Sequence, residues 1–200
     1  MPVISGGTTL IDNGTLDSGV AVGKLTLIST QTASSSSSIS FTSGIDSTYD
    51  SYIFKFINIH ASSNDATFRI NFSTDSGSNY NVSKTTTFFR TYNNESGGTQ
   101  SLLYATSHDA AESTSDIDII TSNGTGNDES ASGTLQMFNP SSTVTVKHFL
   151  SDCNVYHQGD LSQRLLVSGY GNTTSAVNAV RFQFSSGNID SGKIKMYGVG

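Results

Sequence analysis

The chain carries a single cysteine, two prolines and no tryptophan in 200 residues. One cysteine, Cys153, excludes an internal disulfide framework and a cysteine-ligated zinc site. Charge is also scarce. Asp, Glu, Lys and Arg make up 13% of the residues, about half the usual share. The 10 cations are scattered along the chain. A duplex nucleic-acid binder needs clustered Lys and Arg to displace counterions, so that class is excluded. No apolar run approaches the ~18 residues of a membrane-crossing helix. The opening Met1-Pro2-Val3-Ile4-Ser5-Gly6-Gly7 has neither the basic region nor the apolar stretch of a secretory signal. Neither nucleic acid nor membrane is therefore expected as a partner.

Ser and Thr fill the space, at about 30% of the chain. The 19 glycines, 11 phenylalanines and 8 tyrosines accompany them. Disorder would require few aromatics and high charge, and neither holds here. The composition predicts a folded β protein with a neutral, hydrogen-bonding surface.

Residues 1–24 read as an extended N-terminal arm. Glycines interrupt every short apolar pair, and Asp12-Asn13-Gly14 and Asp17-Ser18-Gly19 are turn signals. From Lys24 onward, short alternating runs are separated by polar turns. Phe68, Ile70 and Phe72 alternate with Arg69 and Asn71, so the phenylalanines and Ile70 should point inward. In Tyr52–Ile59, Phe54 and Phe56 share one face while Ile53, Ile57 and Ile59 share the other, which predicts a strand covered on both sides. Further strands are expected near 25–30, 38–41, 84–92, 102–104, 116–120, 133–138, 144–150, 165–170, 180–184 and 192–199. Only Asp109–Glu112 resembles a helical turn. Roughly ten to twelve short strands without crossover helices imply antiparallel pairing in two packed sheets. The expectation is an all-β antiparallel β-sandwich of jelly-roll type over residues 25–200, preceded by the arm.

Candidate chemistry is sparse. His60, His108, His148 and His157 lack the spacing that brings two imidazoles to one metal. Acidic turns such as Asp12–Asp17 and Asn127-Asp128-Glu129 offer oxygen ligands for calcium. Asp and Asn also occupy turns because they bond their own backbone, so no metal is assigned. Cys153 can be drawn beside His148 or His157 as a nucleophilic dyad, but a lone cysteine is more often a small buried hydrophobe. There is no Gly-x-Ser-x-Gly elbow and no phosphate loop leading into a helix. A non-enzymatic protein without a cofactor is expected. If the loops around 75–79, 93–100 and 122–130 meet a neutral polar ligand such as a glycan, Tyr80, Tyr92 and Tyr104 supply stacking faces, and Asn94, Asn127 and Asp128 supply hydrogen bonds.

The closing stretch Phe184-Ser185-Ser186-Gly187-Asn188-Ile189-Asp190-Ser191-Gly192-Lys193-Ile194-Lys195-Met196-Tyr197-Gly198-Val199 resembles the last motif of a family of bacteriophage virion proteins, which runs roughly SSGNI-x-x-G-x-IKLYGI. Tyr52–His60, Phe138-Asn139-Pro140-Ser141-Ser142 and Gly169-Tyr170 with Asn172-Thr173-Thr174 are similar to that family as well, so the resemblance spans about residues 25–200. Met196 stands where Leu is common, a volume-preserving change. The resemblance implies a non-enzymatic virion structural protein without catalytic residues, either a tail-fibre or adhesion module or a capsid decoration protein held by its arm. Unprotected β edges imply self-assembly, expected as a homotrimer. The other expected partners are tail or capsid proteins and a host cell-surface glycan.

Overall fold

A computed structural model describes residues 3–5, 8–12, 15–16 and 25–200. Within the stretch expected to form an arm, β1 (Val3–Ser5), β2 (Thr8–Asp12) and β3 (Thr15–Leu16) make a small antiparallel sheet. The turn positions Asn13, Gly14 and Asp17–Gly23 lie outside the described residues, and so does half of the first acidic turn considered for calcium, Asp12–Asp17.

The rest is all-β. In chain order the strands are β4 (Leu25–Thr32), β5 (Ile39–Phe41), β6 (Ser51–Ala61), β7 (Ala66–Ser73), β8 (Lys84–Asn94) and β9 (Gln100–Tyr104). They continue with β10 (Ile117–Asn123), β11 (Ala131–Phe138), β12 (Lys147–His157), β13 (Leu161–Gly171), β14 (Ala179–Phe184) and β15 (Ile189–Val199). A single turn of 3-10 helix at Thr106–His108 stands near the expected helical turn.

All pairings are antiparallel, and the sheet is nearly closed on itself. A long run, β4-β15-β6-β11-β12-β13-β8-β9, meets a short run, β10-β7-β14-β5, at one register pair, Asn123 with His157. Side chains of the two runs meet in an aromatic core. Phe182 of the short run lies 5.4 Å from Phe54 and 5.2 Å from Phe56 of the long run, and stacks on Phe68 at 5.8 Å. Phe72 meets Phe149 edge-on at 5.3 Å. Edge-to-face and offset geometry adds to the apolar burial, which contributes about 1.5–3 kcal/mol for each phenylalanine.

Strand β6 departs from its expected pattern. Asn58 takes a left-handed backbone (φ 49°), and the register with β11 and β15 shifts around it. This bulge reverses the parity of the strand, so Ile59 and Ala61 fall on the inward face with Phe54 and Phe56, fully buried. Ile57 is left 38% exposed, so the strand is covered on one side rather than two. Gly192 of β15 lies against the bulge with φ 117°, and a Cβ there would come within 2.6 Å of the Asn58 carbonyl oxygen. In the closing motif, Gly198 has a similar packing reason: the ring of Tyr49 rests where its side chain would be.

Strand β12 is longer than the alternation suggested. It starts at Lys147 and continues through Ser151, Cys153 and Val155, all buried. Residues 144–145, expected in the strand, instead belong to a turn in which the Ser142 hydroxyl accepts the Val144 and Thr145 amides.

Candidate functional site

Strand direction sorts the turns into two ends. The register rows Ala66–Asn123–His157 and Leu161–Asn94 fix one end, which carries the turns 62–65, 93–100, 122–130 and 157–160. The row Lys84–Gly171–Lys147 fixes the other, which carries 74–83, 139–146 and 172–178. The loops 75–79, 93–100 and 122–130, expected to act together, are therefore split. β7 and β8 are joined through 74–83, so that loop stands a strand length away from the other two.

At the first end a polar cleft of about 490 Å³ opens between β6, β15 and the 124–130 turn. It is lined by Asn58, His60, Asn127, Asp128, Ser130, Asp190 and Ser191. Ser132 holds the bulge at this end of β6 by accepting the Asn58 amide at 3.0 Å. The turn is held from within, where Glu129 accepts the Gly126 amide and Gly126 accepts the Glu129 amide at 3.0 Å. His60 Nε2 lies 3.0 Å from the Gly126 carbonyl oxygen. A carbonyl only accepts, so Nε2 is a donor. Nδ1 then faces the Asp190 carboxylate at 3.4 Å. Ser35 donates to the other Asp190 oxygen at 3.2 Å. The cleft thus joins two turns and two strand ends that are far apart in sequence. Its volume falls in the ordinary ligand-pocket range, and its walls offer carboxylate and amide oxygens, amide N–H groups and hydroxyls.

Of the residues singled out from the sequence, Asn127 and Asp128 line this cleft and are exposed. Asn94 lies at the same end but caps its own turn, accepting the Thr99 amide at 3.0 Å. Tyr92 and Tyr104 belong to one hairpin and face opposite ways. Tyr92 shares the face of buried Phe88 and is half-buried. Tyr104 is on the outside, 4.9 Å from Phe89, with its hydroxyl donated to Asp109. Tyr80 lies by the other end, over the Arg181 guanidinium at 4.6 Å. No stacking platform joins the three tyrosines. His60 and Asp190 were not singled out as partners of this loop. Turn signals mark a loop but carry no trace of which strand ends it meets.

The outer face of the long run is the second notable surface. Cross-strand register places Asp152, Leu166, Phe89 and Tyr104 in one row, and Leu150 and Ser168 in the next. Leu102, Leu150, Phe89 and Leu166 are all exposed there, Leu102 by 77%. Arg164 pairs with Asp152 in a bidentate contact at 2.9 and 2.7 Å.

The drawn dyad does not form. Cys153 points inward and His148 outward on the same strand, and His157 is four residues away, ~13 Å along it. Burial pushes the Cys153 thiol up to about 12, the reverse of nucleophile activation. His108 instead pairs with Asp118 at 2.8 Å, and Arg69 with the same carboxylate at 2.7 Å. Burial alone would raise the Asp118 carboxyl, but these two partners outweigh it and hold it below its ordinary value. Among the described residues no group of three His, Cys, Asp or Glu is placed to hold a metal ion.

No family model, no curated protein and no solved structure matches the chain.

Proposed function

We propose that this chain is a non-enzymatic structural protein of a bacteriophage virion, a tail-fibre or adhesion module displayed as a homotrimer and built as a jelly-roll-type β-sandwich. Its contact surface is the open end around His60, Asn127, Asp128 and Asp190, and its ligand class is a cell-surface glycan. The observation that carries this reading is the polar cleft. A neutral polyhydroxylated ligand needs closely spaced donors and acceptors without net charge repulsion, and the Asn, Ser, Asp and His groups of this cleft provide them on a Ser- and Thr-rich surface. The resemblance of the closing motif to phage virion proteins supports the same reading, as does the packing of Gly198 under Tyr49, which gives that motif a structural reason.

A second reading, capsid decoration, is favoured by the apolar outer face of the long run. Leu102, Phe89, Leu150 and Leu166 on one sheet face suit a neighbouring virion subunit.

Cryo-electron microscopy of the assembled particle separates the two. Density in a small number of trimers on the tail, with residues 124–130 pointing outward, is the expected result. Copies repeating over the icosahedral shell, with the outer sheet face against capsid protein, would select decoration instead. Absence from the particle would sink both.

A further inference from the structure

Lys84 is an internal amine. Its side chain is fully buried where β8 of the long run approaches β7 of the short run. Nζ lies 2.6 Å from Asn71 Oδ1 and 2.6 Å from the Val82 carbonyl oxygen, with the Phe72 ring 6.0 Å away. Asn71 is only 2% exposed. Its carboxamide is fixed at both ends, since Oδ1 faces Lys84 and Nδ2 donates to Asp116 Oδ1 at 2.8 Å. That assignment is unambiguous, because an ammonium only donates and a carboxylate only accepts. Asp116 is held in turn by Arg181 at 3.0 Å and by Gln183. The segment 110–114 closes over the cluster, with Thr114 accepting a second Asn71 hydrogen bond and Ser113 accepting the Lys84 amide.

The Asn71 carboxamide therefore bridges a nucleophilic amine on one side and a carboxylate on the other, out of bulk water. We propose that Lys84 and Asn71 condense into an intramolecular isopeptide bond, with Asp116 as the catalytic proton carrier. The neutral Nζ attacks Asn71 Cγ and the Nζ–Cγ bond forms. As Nζ closes on Cγ it comes toward the Asp116 carboxylate already held on Nδ2, which takes a proton from Nζ and returns one to Nδ2. The Cγ–Nδ2 bond then breaks and ammonia leaves. Lysine amine plus asparagine carboxamide gives a secondary amide plus ammonia, with no change of oxidation state and no co-reactant.

Fixed geometry supplies most of what such a step needs, because reacting groups held in contact gain a large effective concentration. Burial also holds the Lys84 amine down at about 8, against the opposing attraction of Asp116, so much of it is the neutral nucleophile at mildly alkaline pH. The bond would join the two packed runs covalently, through strands that share no backbone pairing. A chain with one buried cysteine has no disulfide to do this.

The test is a tryptic digest of the purified, unfolded full chain after incubation at mildly alkaline pH. Trypsin cuts after Arg69, Lys84 and Arg90 in a chain without the bond. The expected product is instead a looped peptide, Ile70–Arg90, uncut at Lys84 and lighter by one ammonia, about 17 Da. Asp116→Asn should restore Ile70–Lys84 at full mass. Recovery of Ile70–Lys84 at full mass from the wild-type chain would overturn the proposal, and that measurement does not depend on any variant folding. Loss of ammonia with cleavage after Lys84 intact would mean a succinimide at Asn71 and would also overturn it. An Asp116→Asn chain that still yields the looped peptide would remove Asp116 from the mechanism.

Discussion

The two ends of the barrel are built from the same residue types and have opposite characters. At the end of Lys84 and Lys147, turns rich in Ser, Thr, Asn and Asp fold over buried cations. Lys147 Nζ donates to the carbonyls of Thr145 at 2.5 Å and Thr173 at 3.2 Å, while Lys84 takes Val82 and Asn71. The Tyr52 hydroxyl donates to the Asp46 carbonyl at 2.9 Å and accepts its amide at 2.9 Å. At the end of His60 the same kinds of turn lack a buried cation among their described residues, and Asn127 and Asp128 face solvent. Whether a polar turn seals a core or presents a surface is decided by what lies beneath it. A buried ammonium satisfies orphan carbonyls and turns the loop inward.

The largest expected effect strikes both ends alike. Phe182→Ala removes the ring that the aromatic core packs around and should cost about 3–5 kcal/mol in chemical denaturation. Lys147→Ala should separate the ends. It frees the Thr145 and Thr173 carbonyls and should cost about 1.5–3 kcal/mol, with faster amide exchange confined to 139–149 and 171–178.

The pH response should also differ. Burial holds Lys84 at about 8 in the fold, against 10.5 unfolded. Between those values the unfolded chain binds more protons, so stability should rise with pH across that window. This holds in Asp116→Asn, where Lys84 stays a free amine. In a wild-type chain carrying the isopeptide bond that rise is absent. At the other end, burial lowers His157 below 6.5. The unfolded chain then takes up its proton first, and stability should fall as pH drops through the region just below 6.5. Melting temperature against pH, with His157→Gln as the control, reads this directly. The smallest effect on stability is expected from Asn127→Ala with Asp128→Ala, within about 0.5 kcal/mol, because both side chains are exposed.

Much of the strand plan was legible in the sequence, because Phe68-Arg69-Ile70-Asn71-Phe72 and its like alternate with a period of two. The second half of β12 escaped notice because its inward positions, Ser151 and Cys153, are small or polar. The face on which Ile59 is buried was hidden because the bulge at Asn58 leaves no periodic trace. Of the candidate site, Asn127 and Asp128 were legible as turn residues. His60 and Asp190 were not legible as their partners, because register shifts and sheet closure bring those strands together. Lys84 read as an ordinary strand-end lysine and Lys147 as one inside an alternating run, and no local signal distinguishes a buried lysine from an exposed one.

Whether the open end is the contact surface is decided by chemical-shift mapping of the full chain against a panel of neutral oligosaccharides. Saturable shifts are expected, centred on His60, Asn127, Asp128 and Asp190, and lost in the Asn127→Ala, Asp128→Ala chain while its fold is retained. Saturable shifts centred on Lys84, Tyr80 or the outer face around Leu166, or no shifts across the panel, would contradict it.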